Sequence, residues 1–84
     1  GWKLISDQNT NTTLDVWKTN NAIPTISNTI TAAAKPTLSS TQINTSTTLT
    51  GWTTSVSNND VFILNVDSND NALYLSLELD ILLT

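Results

Sequence analysis

Val61-Phe62-Ile63-Leu64-Asn65-Val66-Asp67-Ser68-Asn69-Asp70-Asn71-Ala72-Leu73-Tyr74-Leu75-Ser76-Leu77-Glu78-Leu79-Asp80-Ile81-Leu82-Leu83 reads as two strands joined by a polar turn. Leu73, Leu75, Leu77, Leu79 and Ile81 fall on every second residue, with Tyr74, Ser76, Glu78 and Asp80 between them. That period of two belongs to a strand with one covered face. Val61 to Val66 is apolar on both faces, the pattern of a strand covered on both sides. Asp67–Asn71 is rich in turn formers, so the spacing predicts a terminal β-hairpin of Val61–Val66 with Leu73–Leu83.

The same reading extends upstream. Trp2–Ser6 is a short apolar run that ends in the polar cluster Asp7-Gln8-Asn9-Thr10-Asn11. Thr12 to Lys18 then alternates, with Leu14 and Val16 on one face and Thr13, Asp15 and Trp17 on the other. These segments predict a second hairpin with its turn at Asp7–Asn11. Ala22 to Ser40 is irregular and holds Pro24 and Pro36, each of which pushes the preceding residue towards extended geometry. Ile26, Ile30 and Leu38 are spaced apolar anchors for that long loop, and Thr31–Lys35 is long enough for one helical turn. Asn44–Thr50 is a Thr-rich strand. Gly51-Trp52 and Thr53–Val56 follow, and Ser57–Asp60 is a turn. Trp2 and Trp52 each follow a glycine, which suggests close packing at a bend. The expected fold is all-β: an antiparallel, jelly-roll-like β-sandwich of about six short strands with a long Pro-containing loop.

The chain has 84 residues, enough for a single domain spanning 1–84. A chain this short buries only about 60–65% of its unfolded surface, against an ordering cost of roughly 1.5 kcal/mol per residue. With no Cys, disulfides and thiolate metal sites are excluded. With no His, the commonest metal ligand and general base are missing too. Oligomerisation is the supplement that remains. Thr, Asn and Ser make up roughly two-fifths of the residues, a composition of strands and polar loops that fits an extracellular or particle surface. The net charge of −4 argues against nucleic acid and against anionic membranes as partners. No apolar run approaches the ~20 residues of a membrane span. The chain begins at Gly1-Trp2 without Met, and the expectation is that an upstream segment precedes it.

Candidate chemistry is sparse. Asp67, Asn69 and Asn71 fall where an EF-hand loop places its first oxygen ligands, and Glu78 falls at its bidentate acid. Ala72 stands where that loop needs Gly, and Glu78 sits in an alternating strand, so the segment reads as a hairpin loop. Asp67 and Asp70 remain as candidate calcium ligands, and no cofactor is expected. Glu78 and Asp80 are two apart on one strand, about 7 Å between Cβ atoms by strand geometry. No cleft accompanies them, and outward acids keep a strand edge soluble. No His is available to activate a serine, and no Gly-flanked nucleophile elbow appears. The expectation is a non-enzyme. Three Trp in 84 residues is a high number. Trp17 shares its face with Thr13 and Asp15, which makes it the candidate glycan contact. Asn11-Thr12-Thr13 and Asn44-Thr45-Ser46 fit the glycosylation sequon, a match that arises by chance in this composition.

Several segments, in this order, resemble a module near the ends of tailed-phage fibre and virion structural proteins. They are Gly1–Gln8, Leu14-Asp15-Val16-Trp17-Lys18, Ala34-Lys35-Pro36-Thr37-Leu38-Ser39, Ser46–Thr54 with Gly51-Trp52 at its centre, and Asp60–Ser68 with Asn65-Val66-Asp67-Ser68. The closing alternating strand continues the match. The resemblance implies a β-sandwich displayed on a virion, assembled as a homotrimer or packed on other virion proteins. It carries over no catalytic residue. Two departures stand out: the family has a stretch upstream of the first Gly-Trp, and a basic residue where this chain has Ile63. The expected function is a non-catalytic fibre or capsid-decoration module, located on the virion or otherwise extracellular. Val61, Ile63, Tyr74 and Leu82 are its candidate interface residues. A glycan- or receptor-binding module contacting a host surface, and a self-assembling filament subunit, are the competing expectations.

Overall fold

The computed structural model describes residues 1–80 and contains four strands: β1 (Trp2–Asn20), β2 (Thr37–Ser46), β3 (Asp60–Asn69) and β4 (Leu75–Leu79). The described residues form one antiparallel sheet with β1 at its centre. All-β character and antiparallel pairing follow the sequence pattern; the strand count, two of the turns and the bounds of the Thr-rich strand do not, the last being expected at Asn44–Thr50 and found at Thr37–Ser46, where its residues pair with β1.

The first difference is β1. Asp7–Asn11 does not turn the chain, and Trp2–Asn20 runs as one strand of 19 residues. At about 3.3 Å per residue a straight strand of that length would span roughly 60 Å, yet the longest dimension of the molecule is 35 Å. β1 therefore bends. On its β2 side the register slips between Ile5↔Ile43 and Thr10↔Thr41, so that Ser6–Asn9 run opposite Gln42 alone. Extra residues on one strand of a pair bend it and raise its twist. The polar cluster that reads as a turn thus supplies a bend, and it brings Trp2 and Leu4 against Leu14 and Leu38 in one buried core.

The second difference is the terminal hairpin. β3 and β4 do not pair with each other; both lie antiparallel to β1. Thr12 faces Asn69 and Ser6 faces Leu75, so Asp70–Tyr74 spans the same number of residues as Asp7–Asn11 and the register carries across the gap. Hydrogen bonds hold both ends of the gap: Asp7 N–H to the Tyr74 carbonyl at 3.3 Å and Asp70 N–H to the Asn11 carbonyl at 3.2 Å. Asp67–Asn71 cannot be a hairpin turn, because β1 is long enough to pair with both segments in line and their amides are satisfied there.

The core reflects this topology. The side chains of Trp2, Leu4, Leu14, Val16 and Leu38 are buried, and Leu75, Leu77 and Leu79 pack half-buried from β4. The alternation of β4 survives, although Leu73 is exposed and outside the strand. Of the three loop anchors, Ile30 and Leu38 are buried, Leu38 within β2, whereas Ile26 is exposed in a 3-10 turn at Ile26–Asn28. Thr31–Ala34 is a single turn, with Ala34 N–H bonded to the Thr31 carbonyl, not a helix. The Ser57–Asp60 turn forms as expected, with Asn59 at φ 70°. Both Gly-Trp pairs sit at close approaches. A Cβ on Gly1 would lie 2.4 Å from the Ser46 carbonyl oxygen, and Gly51 has φ 79° with Ala32 Cβ 3.1 Å from the same position.

Candidate functional site

The most organised polar group centres on Asp15, which is only 3% exposed. Its side chain lies on the β1 face opposite Leu14 and Val16, where the loop from Thr29 to Lys35 covers it. Oδ1 accepts the Val16 N–H at 2.8 Å, Thr29 Oγ1 at 2.6 Å and Thr31 Oγ1 at 2.7 Å. Oδ2 accepts the Trp17 indole N–H at 3.1 Å and lies 3.8 Å from Lys35 Nζ. Burial alone pushes this carboxyl up, but the bonds from Thr29, Thr31 and Trp17 and the Lys35 charge outweigh it and hold the pKa below the usual range. A buried carboxylate with every lone pair occupied is a clamp: it fixes the irregular Thr29–Lys35 segment along the edge of β1. Lys35 also donates to Asp67 Oδ2 at 2.6 Å, a bond that raises its own pKa and ties β3 into the network.

A second polar group bridges the β3–β4 gap. Asp70 accepts from Asn11 N–H and Nδ2 and from Thr10 Oγ1, all at 2.9 Å. The Asn11 bonds, then Thr10, lower its pKa to about 2. Across the strand, Asp7 Oδ1 accepts the Leu73 and Tyr74 amides, and its pKa is lowered chiefly by the Tyr74 bond. Asp70 thus takes a backbone N–H of β1, and Asp7 takes two from the segment that joins β3 to β4.

These placements bear on every residue singled out from the sequence. Asp67 and Asp70 point to different partners, Lys35 and Asn11, and among the described residues no group of three or more acidic side chains converges on a common point. Glu78 lies 4.0 Å from Lys3 Nζ. Trp17 is half-buried with its indole N–H engaged, so its exposure is less than its neighbours on the strand suggest. Val61 is 39% exposed, Ile63 half-buried and Tyr74 76% exposed. Leu82 lies outside the described residues. Sequence reasoning missed Asp15 as a buried residue, because an acid between two apolar neighbours on a strand reads as outward. It also missed Leu64 and Val66. Both face the core side, paired with Val16 and Leu14, yet they remain 46% and 51% exposed.

That last observation marks the surface of interest. β3 lies at an edge of the sheet, and its apolar run Val61–Leu64 with Val66 is only partly covered by the described residues. Comparison with protein-family models, with curated proteins and with solved structures returns no match to this chain.

Proposed function

We propose that this chain is a non-catalytic structural module of a tailed-phage virion, a fibre or capsid-decoration piece that works through contacts with neighbouring subunits. The observation that carries the reading is β3: a strand at a sheet edge whose run Val61–Leu64 is apolar on both faces and, with Val66, only partly covered. Natural edge strands of this kind are guarded by charge, proline or cover unless something pairs with them. Resemblance to fibre modules, described above, supplies the virion setting, and with it a homotrimer or other virion proteins as partners. In such an assembly a neighbouring subunit completes the second layer of the jelly-roll-like sandwich. The Asp15 clamp and the Asp7 and Asp70 bridges fit this role, since they spend three of the seven acidic side chains on rigidity.

Native mass spectrometry of the isolated protein tests the reading. Discrete homo-oligomers are expected. A compact monomer at the highest soluble concentration overturns it, and so does the absence of this chain's peptides from purified particles of its source.

A further inference from the structure

We propose that the outer edge of β3 is a two-fold self-association site, at which a second copy of this chain adds its own β3 antiparallel with Leu64 on the axis. The proposal rests on the structural-module reading, names its contact surface, and calls for a two-fold pair in place of the homotrimer that the resemblance implies.

Antiparallel pairs alternate between residues that exchange hydrogen bonds with each other and residues whose N–H and C=O point away. The Asn21 N–H donates to the Asn59 carbonyl at 3.0 Å, which sets the phase for β1 and β3. Thr19/Val61, Trp17/Ile63 and Asp15/Asn65 are then the bonded pairs. Lys18/Phe62, Val16/Leu64 and Leu14/Val66 point their backbone groups outward. On the β1 side the rule is met: the Val16 carbonyl accepts the Ile30 N–H at 2.9 Å, and the Leu14 N–H reaches the Pro36 carbonyl at 2.9 Å. On the β3 side the same phase aims the N–H and C=O of Phe62, Leu64 and Val66 at the outer edge. Among the described residues nothing pairs with them there.

This row is self-complementary. Asp60 is not part of it, because its N–H is closed onto the Ser57 carbonyl and its carboxylate onto Lys18. Beyond Val66 the register shifts, so the row ends there too. Three residues remain, and only a two-fold axis at Leu64 matches all three. Phe62 meets the second copy's Val66, Leu64 meets Leu64, and Val66 meets Phe62. Their side chains lie on the face shared with Leu14 and Val16, so the pairing extends the apolar core face across the axis. Each copy carries a net charge of −4, so a workable register must keep acids apart. This one places Asp67 opposite Val61 and Asp60 opposite Ser68. No Lys, Arg or Pro interrupts Asp60–Asn69 to discourage the pairing.

The chain has no Cys, so one introduced thiol reports the register. Bonded antiparallel pairs have Cα atoms about 5.5 Å apart, within disulfide reach. Leu64→Cys should give a nearly complete disulfide-linked dimer under mild oxidation. Ile63→Cys, offset from its own copy across the axis, should stay monomeric on the same gel. Leu64→Lys should abolish the dimer by native mass spectrometry while leaving the far-UV circular dichroism spectrum nearly unchanged, because Leu64 is 46% exposed. If the wild type assembles but Leu64→Cys stays reduced and Leu64→Lys leaves assembly intact, the edge proposal fails and the structural-module reading survives. A monomeric wild type overturns both. A dimer that appears only when residues 81–84 are deleted makes the chain's own end the occupant of this edge and also overturns the proposal.

Discussion

Replacing Asp15 by alanine should cost this protein a large part of its stability. The substitution removes the acceptor for four donors: the Val16 N–H, Thr29 and Thr31 hydroxyls and the Trp17 indole N–H. The hydroxyls can rotate to other partners, but the N–H of fully buried Val16 cannot. A hydrogen bond to a charged group contributes about 1.5–3 kcal/mol, and a buried donor left without a partner costs about 1–3 kcal/mol. Lys35 loses one of its two carboxylates but keeps Asp67. Breaking one side of a buried polar network of this kind costs roughly 3–5 kcal/mol. At ~0.05–0.15 kcal/mol per residue the whole domain has on the order of 4–13 kcal/mol to lose, so Asp15→Ala should sit near its unfolding threshold. Asp15→Asn is the informative companion. Its carbonyl can serve the three donors now on Oδ1, but its amide then faces the Trp17 N–H and the Lys35 ammonium, a cost of about 1–3 kcal/mol. Urea denaturation followed by far-UV circular dichroism, with m held constant, measures both. Adding Trp17→Phe to Asp15→Asn removes one of the opposed donors, so the double variant should lose less than the sum of the singles. A loss below about 1 kcal/mol for Asp15→Ala, or equal losses for Ala and Asn, would refute the clamp.

Four further outcomes follow from the same structure. Leu4→Ala, at a fully buried site among Trp2, Leu14 and Leu38, should cost about 2–5 kcal/mol, whereas Leu73→Ala, 78% exposed, should stay within about 0.5 kcal/mol; thermal melts of the pair compare them directly. Trp17→Phe alone should cost about 1 kcal/mol through its lost N–H donor, and a glycan array would show no dependence on this ring if its role is to hold Asp15. Gly51→Ala places a side chain at φ 79° and 3.1 Å from Ala32 Cβ, a loss of about 1–2 kcal/mol by equilibrium unfolding. The pH dependence has a definite sign: Asp7, Asp15, Asp60 and Asp70 all have lowered folded pKa values. Their contribution is complete above the unfolded value of 3.8 and is lost as pH falls through the folded ones, ending near 2 for Asp70. A melting temperature that fails to fall between about pH 4 and pH 2 would contradict this, and Asp70→Asn should flatten the lowest part of the curve.

Side-chain period and composition determined the local character of this chain. The alternation of Leu75, Leu77 and Leu79, the apolar run Val61–Leu64 and the scarcity of helix formers are local facts, and local facts decide strand against helix. The Ser57–Asp60 turn was legible for the same reason, since its side chains bond their own backbone. Which strands pair, and where the chain reverses, are decided by long-range matching that no window of sequence contains. Asp7–Asn11 and Asp67–Asn71 both carry turn residues, yet neither reverses the chain. Asp7–Asn11 meets Asp70–Tyr74, a segment of equal length, and Asp7 and Asp70 satisfy amides across the gap that a turn would otherwise leave to water. Burial of Asp15 was illegible for a related reason: beside the local donors of Val16 and Trp17, its partners Thr29, Thr31 and Lys35 reach it only when the folded loop brings them to β1. The candidate site divides along the same line. An apolar β3 could be read from residues 61–66 alone. That β3 lies at an edge, with the backbone groups of Phe62, Leu64 and Val66 aimed outward, was decided only by its register against β1, because pairing phase belongs to two strands and not to either one.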